Sequence, residues 1–181
     1  MTEQERFGRC LGAVLRFEGG YSEDPRDPGG ATNLGITLAT LSQALGRAAT
    51  AEEVRALTPG AVAPIYQDRY WRPVQCGRLK PGLDFLAFDT AVNMGVGAAA
   101  TLLQGALGVE ADGAIGPVTL AAADRAHARQ AIEAFLRLRA ARYRSLDGFA
   151  VFGIGWMRRL EAAGAQAQAW ADEPVGAGAT A

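Results

Sequence analysis

One stretch constrains this chain more than any other. Phe7, Leu11 and Val14 recur at helical spacing, and the next position on that apolar stripe is Glu18. A carboxylate therefore stands where the period asks for a core residue. Gly19 and Gly20 follow at once, and glycine readily takes the left-handed conformation that ends a helix. Behind them, Asp24-Pro25, Asp27-Pro28 and Gly29-Gly30 exclude continued helix and give a shaped loop. The chain must fold around a helix that ends in an acid and turns directly into an irregular loop.

A partly apolar setting disfavours a charged carboxylate. The negative end of the helix dipole acts in the same direction. Those are the conditions a general acid needs near neutral pH. The competing reading is a Glu that turns out to solvent at a helix end. Composition narrows the chemistry further. The single histidine, His127, leaves no economical Ser–His triad and no His-rich zinc site, so no metal or cofactor is expected. A formal net charge of −1 argues against nucleic acid as partner. Two cysteines, Cys10 and Cys76, are too few for a disulfide scaffold and read as buried thiols, with a bridge between them left open. No apolar run reaches membrane-spanning length, and no secretory signal is visible at the polar, acidic start.

Taken in order, Thr2 and Glu5 form a capping box for the first helix. Residues 31–36 read as a short hairpin. Thr37 caps a second helix, with Leu38, Leu41 and Leu45 inward and Gly46 as stop. Thr50 and Glu53 open a short helix carrying Val54 and Leu57. Thr58-Pro59 opens the next, with Val62, Ile65, Tyr66, Arg69 and Tyr70 inward. Pro64 inside it predicts a kink or a later start. Tyr70 and Trp71 either offer a stacking face to a ligand or pack into the core.

Residues 81–95 read as a central helix, apolar nearly all round. Asp89 and Asn93 interrupt it on one face, either lining a substrate cleft or bracing the Glu18 loop. After a glycine break at 95–97, Leu103-Gln104, Asp112-Gly113 and Ile115-Gly116-Pro117 punctuate two more helices. Residues 128–146 form a strong helix with Arg137, Arg139, Arg142 and Arg144 outward. Gly148-Phe149 and Phe152-Gly153 read as a break, and a last helix runs from Ile154 to Trp170. The pattern is all-α with at most a small β-hairpin, in two closely packed parts. They divide as 1–95 and 96–173, with 174–181 as a disordered tail.

Several of these residues also carry a resemblance. Glu18-Gly19-Gly20-Tyr21, the Asp-Pro pairs, Gly30-Ala31-Thr32-Asn33 and Gly35-Ile36-Thr37 resemble the signature of glycoside hydrolase family 108. Asp89, Asn93 and Gly95 resemble that family's Asp-x-x-x-Asn-x-Gly segment. The Leu-Gln, Asp-Gly and Ile-Gly-Pro block resembles peptidoglycan-binding modules, and Gly155-Trp156-Met157-Arg158-Arg159 resembles the end of family members.

The resemblance implies a lysozyme-like fold and an endolysin-type N-acetylmuramidase, with Glu18 as catalytic acid. It implies cleavage of the β-1,4 bond from N-acetylmuramic acid to N-acetylglucosamine. A second carboxylate is expected. Phage-type lysozymes order an acid, a loop Asp and a Thr in a similar way, which favours Asp27 over Asp24, Glu23 or Asp89 as that carboxylate, with Thr32 or Thr37 in the place of the threonine. Tyr21, Thr32, Asn33, Tyr70, Trp71, Asp89 and Asn93 are the expected substrate-binding residues. The expected partner is the peptidoglycan glycan strand, met by a monomer without membrane insertion. The enzyme would be made in the cytoplasm and reach the wall through a holin or a secretion apparatus, as members from phages, phage-like particles and secretion loci do. A lytic transglycosylase and a non-catalytic wall-binding protein of such a particle are the alternative readings.

Overall fold

The computed structural model describes residues 1–23 and 30–173. Its contacts divide the chain into two compact units, Gln4–Arg69 and Met1–Glu3 with Tyr70–Ala181. Among the described residues there are nine α-helices and one two-stranded sheet, an all-α fold.

The first unit follows the sequence pattern closely. Helix α1 (Glu3–Glu18) buries Phe7, Cys10, Leu11, Ala13 and Val14, and ends where Gly19 turns left-handed at φ 75°. Strands β1 (Thr32–Asn33) and β2 (Ile36–Thr37) pair antiparallel, Thr32 opposite Thr37. Leu34 at φ 48° and Gly35 at φ 72° form their two-residue connection, and two positive φ values in a row define a type I′ turn. Helix α2 (Leu38–Leu45) is capped by Thr37, and Gly46 closes it in the left-handed region. Helix α3 (Ala51–Arg55) carries the full capping box of Thr50 and Glu53. Leu41 is buried, but Leu45 is 45% exposed, because the short helix ends there.

Helix α4 (Pro59–Tyr66) starts at Pro59 with Thr58 as cap and keeps Pro64 inside. The backbone then widens into a π-helix over Gln67–Trp71. A wider turn rotates each residue less about the axis. Arg69 therefore leaves the face that buries Val62, Ile65 and Tyr66; it is exposed and donates to Gln43 at 3.0 Å.

The second unit is built on helix α5 (Leu83–Met94), whose run from Leu83 to Ala91 is buried on every side. Around it stand α6 (Val96–Leu107), α8 (Ala128–Arg144) and α9 (Phe149–Ala171), with α7 (Pro117–Arg125) against α6. Helices α5 and α6 pack against each other within this unit. Gly82 precedes α5 at φ 83°, and a side chain there would overlap the Ala167 carbonyl. Helix α9 begins at Phe149, so Phe152-Gly153 is not a break. Gly153 is a packing glycine: a Cβ would lie 2.8 Å from the Phe149 ring. The motif around Gln104 closes on itself. The Gln104 amide donates to Asp112 (2.6 Å), to the Ala114 carbonyl (3.0 Å) and to Thr119 (3.2 Å), and accepts from Gly113 N–H (2.9 Å).

Arg139 departs from the sequence reading. It was expected on a solvated face but is fully buried. The reason lies on another helix: Arg139 Nη1 donates to Asp89 Oδ2 at 2.5 Å, and Arg159 Nη2 donates to Asp89 Oδ1 at 2.8 Å. One carboxylate on α5 thus ties α8 and α9. Both cysteines are buried free thiols. No helix among the described residues is long and apolar enough to cross a membrane.

Two outcomes follow from these contacts. Asp89→Asn keeps the shape but leaves buried guanidinium without its anion. Chemical denaturation should show a loss of about 3–5 kcal/mol, and a loss under about 1 kcal/mol would contradict the central role of the pair. The Arg47 guanidinium and the Thr50 N–H hold the Glu53 carboxyl down at about 2. Because the folded value is depressed, its contribution is complete above about pH 4.5 and fades as pH falls toward 2. Unfolding free energies of Glu53→Gln and the parent should therefore converge across that window.

Candidate active site

Glu18 is the last residue of α1, half-buried, with Oε1 out of contact with solvent. The hairpin turn is what it faces. A Cβ placed on Gly35 would lie 2.9 Å from Glu18 Oε2 and 3.2 Å from its Cγ. The same Cβ would come closer still to the Tyr66 hydroxyl. Tyr66, on α4, is 1% exposed, and its hydroxyl donates to the Leu34 carbonyl at 2.8 Å. A helix end, a hairpin turn and a tyrosine hydroxyl therefore meet around one carboxylate. Such packing limits where the carboxylate can point while leaving it partly accessible, the setting a proton donor requires.

The loop behind Glu18 is closed at its base. Ser22 and Thr32 exchange backbone hydrogen bonds of 2.8 Å in both directions. Tyr21 is half-buried, and the Arg55 guanidinium sits 4.5 Å from its ring centre. The Tyr21 hydroxyl donates to Glu23, and Arg55 reaches both, at 3.2 and 3.4 Å. Asn33 is turned inward: its amide donates to the carbonyls of Val54 and Arg55 at 3.1 Å each, satisfying the end of α3. Thr37 accepts the Thr40 N–H at 3.1 Å as the cap of α2. Thr32 is half-buried on β1. Asp24 and Asp27 lie outside the described residues.

The remaining expected residues belong to the other unit. Trp71 has no exposed surface; its Nε1–H donates to Glu3 at 3.1 Å and its ring stands edge-on to Phe88 at 5.4 Å. That is the core reading of this aromatic, with no face left for a sugar. Tyr70 is half-buried. Asp89 gives both oxygens to guanidinium groups and likewise has no surface to offer a sugar. Asn93 is exposed at the end of α5.

Sequence reasoning passed over Tyr66 and Arg55. Tyr66 stood on an apolar stripe and was read as core, yet a buried tyrosine needs a partner for its hydroxyl. That need was the available signal. A groove of about 690 Å³ in the same unit, lined by Leu41, Leu45, Leu57 and Ile65 and rimmed by Arg47 and Arg69, does not include Glu18. Among the described residues, no three His, Cys, Asp or Glu gather as a metal site.

The glycosyl hydrolase 108 family matches residues 11–95, which include Glu18, the loop and α5. The solved structure of Brucella abortus SagA is similar at 39% identity and a TM-score of 0.82, over 94% of this chain and 98% of that one. No curated protein matches.

Gly35 and Gly46 together isolate the contact at Glu18. Both adopt left-handed φ, at 72° and 67°, but a Cβ on Gly46 meets nothing within 4 Å. Gly46→Ala should lose about 1–2 kcal/mol, the cost of left-handed backbone for a residue with a Cβ. Gly35→Ala should lose clearly more by chemical denaturation, because its Cβ must displace Tyr66 or Glu18. Equal losses would mean that the turn does not press on the carboxylate.

Proposed function

The chain belongs to glycosyl hydrolase family 108, and on that premise we propose that it is an N-acetylmuramidase with Glu18 as its general acid. Membership makes it a glycosidase and supports a peptidoglycan hydrolase of the lysozyme-like kind. The proposed bond is the β-1,4 link between N-acetylmuramic acid and N-acetylglucosamine. The observation that carries the reading is the seating of Glu18: one oxygen is out of solvent and the other lies against the Gly35 turn.

In the proposed reaction Glu18 gives its proton to the bridging oxygen as the glycosidic C–O bond breaks. The bonding electrons leave with that oxygen. Water supplies the new bond to the anomeric carbon, and a second carboxylate either activates this water or first bonds the sugar. Asp27 is our choice for that group; it lies outside the described residues. The 96–173 region is proposed to help hold the wall. The enzyme would act in the periplasm or outside the cell, after holin- or secretion-dependent release.

The test is digestion of purified sacculi. Glu18→Gln keeps the side-chain shape and removes the proton, so soluble product should fall by roughly 100- to 10,000-fold with an unchanged unfolding midpoint. Full clearing by this variant would remove Glu18 from the mechanism. Mass spectrometry of the parent's products should show reducing ends; anhydro ends would make the enzyme a lytic transglycosylase. Asp27→Asn should also lose activity, and parental rates would exclude it as the second carboxylate.

A further inference from the structure

Away from Glu18, a small pocket opens where the end of α5 meets α6, α8 and α9. Its volume is about 190 Å³, room for one terminal group and not for a run of sugars. Met94, Leu146 and Trp156 form its apolar side, and Asn93, Tyr143 and Arg142 its polar side. No carboxylate lines it.

The polar side is built from within. Asp89 anchors the fully buried Arg139 at 2.5 Å. Arg139 donates to the Tyr143 oxygen from Nε at 3.1 Å and from Nη2 at 2.8 Å. With its oxygen so engaged, the Tyr143 hydroxyl directs its proton to Asn93 Oδ1 at 2.5 Å, which also receives Arg139 Nη2 at 3.4 Å. Two donors on one side fix the Asn93 amide: its carbonyl faces inward, so its NH₂ faces the pocket. Trp156 is held as a wall by stacking on Tyr143, ring centres 5.5 Å apart. Arg142 stands exposed at the rim and makes no ion pair among the described residues.

A fixed amide donor, a cation and an apolar wall in so small a space match an anionic group carried on a short alkyl carbon. We infer that this pocket binds a carboxylate on a methyl-bearing carbon. Resting on the wall-polymer reading above, that chemistry has two sources: the lactyl carboxylate of an N-acetylmuramic acid that carries no peptide stem, and the C-terminal D-alanine of a stem.

Isothermal titration of the full chain with N-acetylmuramic acid, with Nα-acetyl-D-alanyl-D-alanine and with neutral N-acetylglucosamine tests this. At least one acid should bind and the neutral sugar should not, and the acid that binds identifies the source. Asn93→Asp keeps the inward acceptor and turns the outward donor into an acceptor. It should weaken binding about tenfold or more with little change in unfolding midpoint. Arg142→Gln, on an exposed residue, should weaken it comparably. No binding of either acid to the parent, or parental affinity in both variants, overturns the inference. Sacculus digestion by the same preparations reports separately on the enzyme. Digestion without acid binding defeats the pocket alone, and acid binding abolished by the variants without digestion defeats the muramidase reading alone.

Discussion

A carboxylate at a helix end is held in place only if something packs against it. Here that neighbour is the glycine of a tight turn, Gly35. The Leu34–Gly35 connection approaches Glu18 so closely that even a methyl group on Gly35 would intrude. The turn is in turn held by the Tyr66 hydroxyl on its Leu34 carbonyl. Much of the first unit serves this arrangement. Thr37 caps α2 directly after the hairpin. Asn33 fastens β1 to the end of α3, and the Ser22–Thr32 bridge closes the loop at its base. Asn33 and Thr37 thus use hydrogen bonds to join the hairpin to α3 and α2.

The second unit solves a different problem. Its central helix is buried all round, yet carries a carboxylate that no apolar neighbour could satisfy. The solution is ionic: two arginines from α8 and α9 converge on Asp89. A buried pair of this kind contributes little net stability compared with apolar packing, but is costly to break. It also fixes which faces of α8 and α9 turn inward. The same network continues through Tyr143 to Asn93 at the surface, so buried electrostatics set the direction of an exposed amide.

The family match and the likeness to SagA establish what kind of protein this is. The proton donor is proposed from the Glu-Gly-Gly-Tyr resemblance, and the helix stripe that ends in Glu18 and the turn packed against it support that proposal.

Local signals determined the elements. The caps at Thr37, Thr50 and Thr58, the stops at Gly19 and Gly46, and the place of Glu18 on the stripe were legible because each depends on neighbours within four residues. The buried character of α5 was legible from its composition alone. Contacts between distant residues were not. Arg139 looks like any arginine on a charged helix until Asp89, fifty residues earlier, is brought beside it. Trp71 looks like a sugar platform until Glu3 and Phe88 enclose it. Tyr66 looks like plain core until the Leu34 carbonyl meets its hydroxyl. A sequence states which groups need partners; only the folded chain, by closing loops of thirty to seventy residues, decides which partners they get.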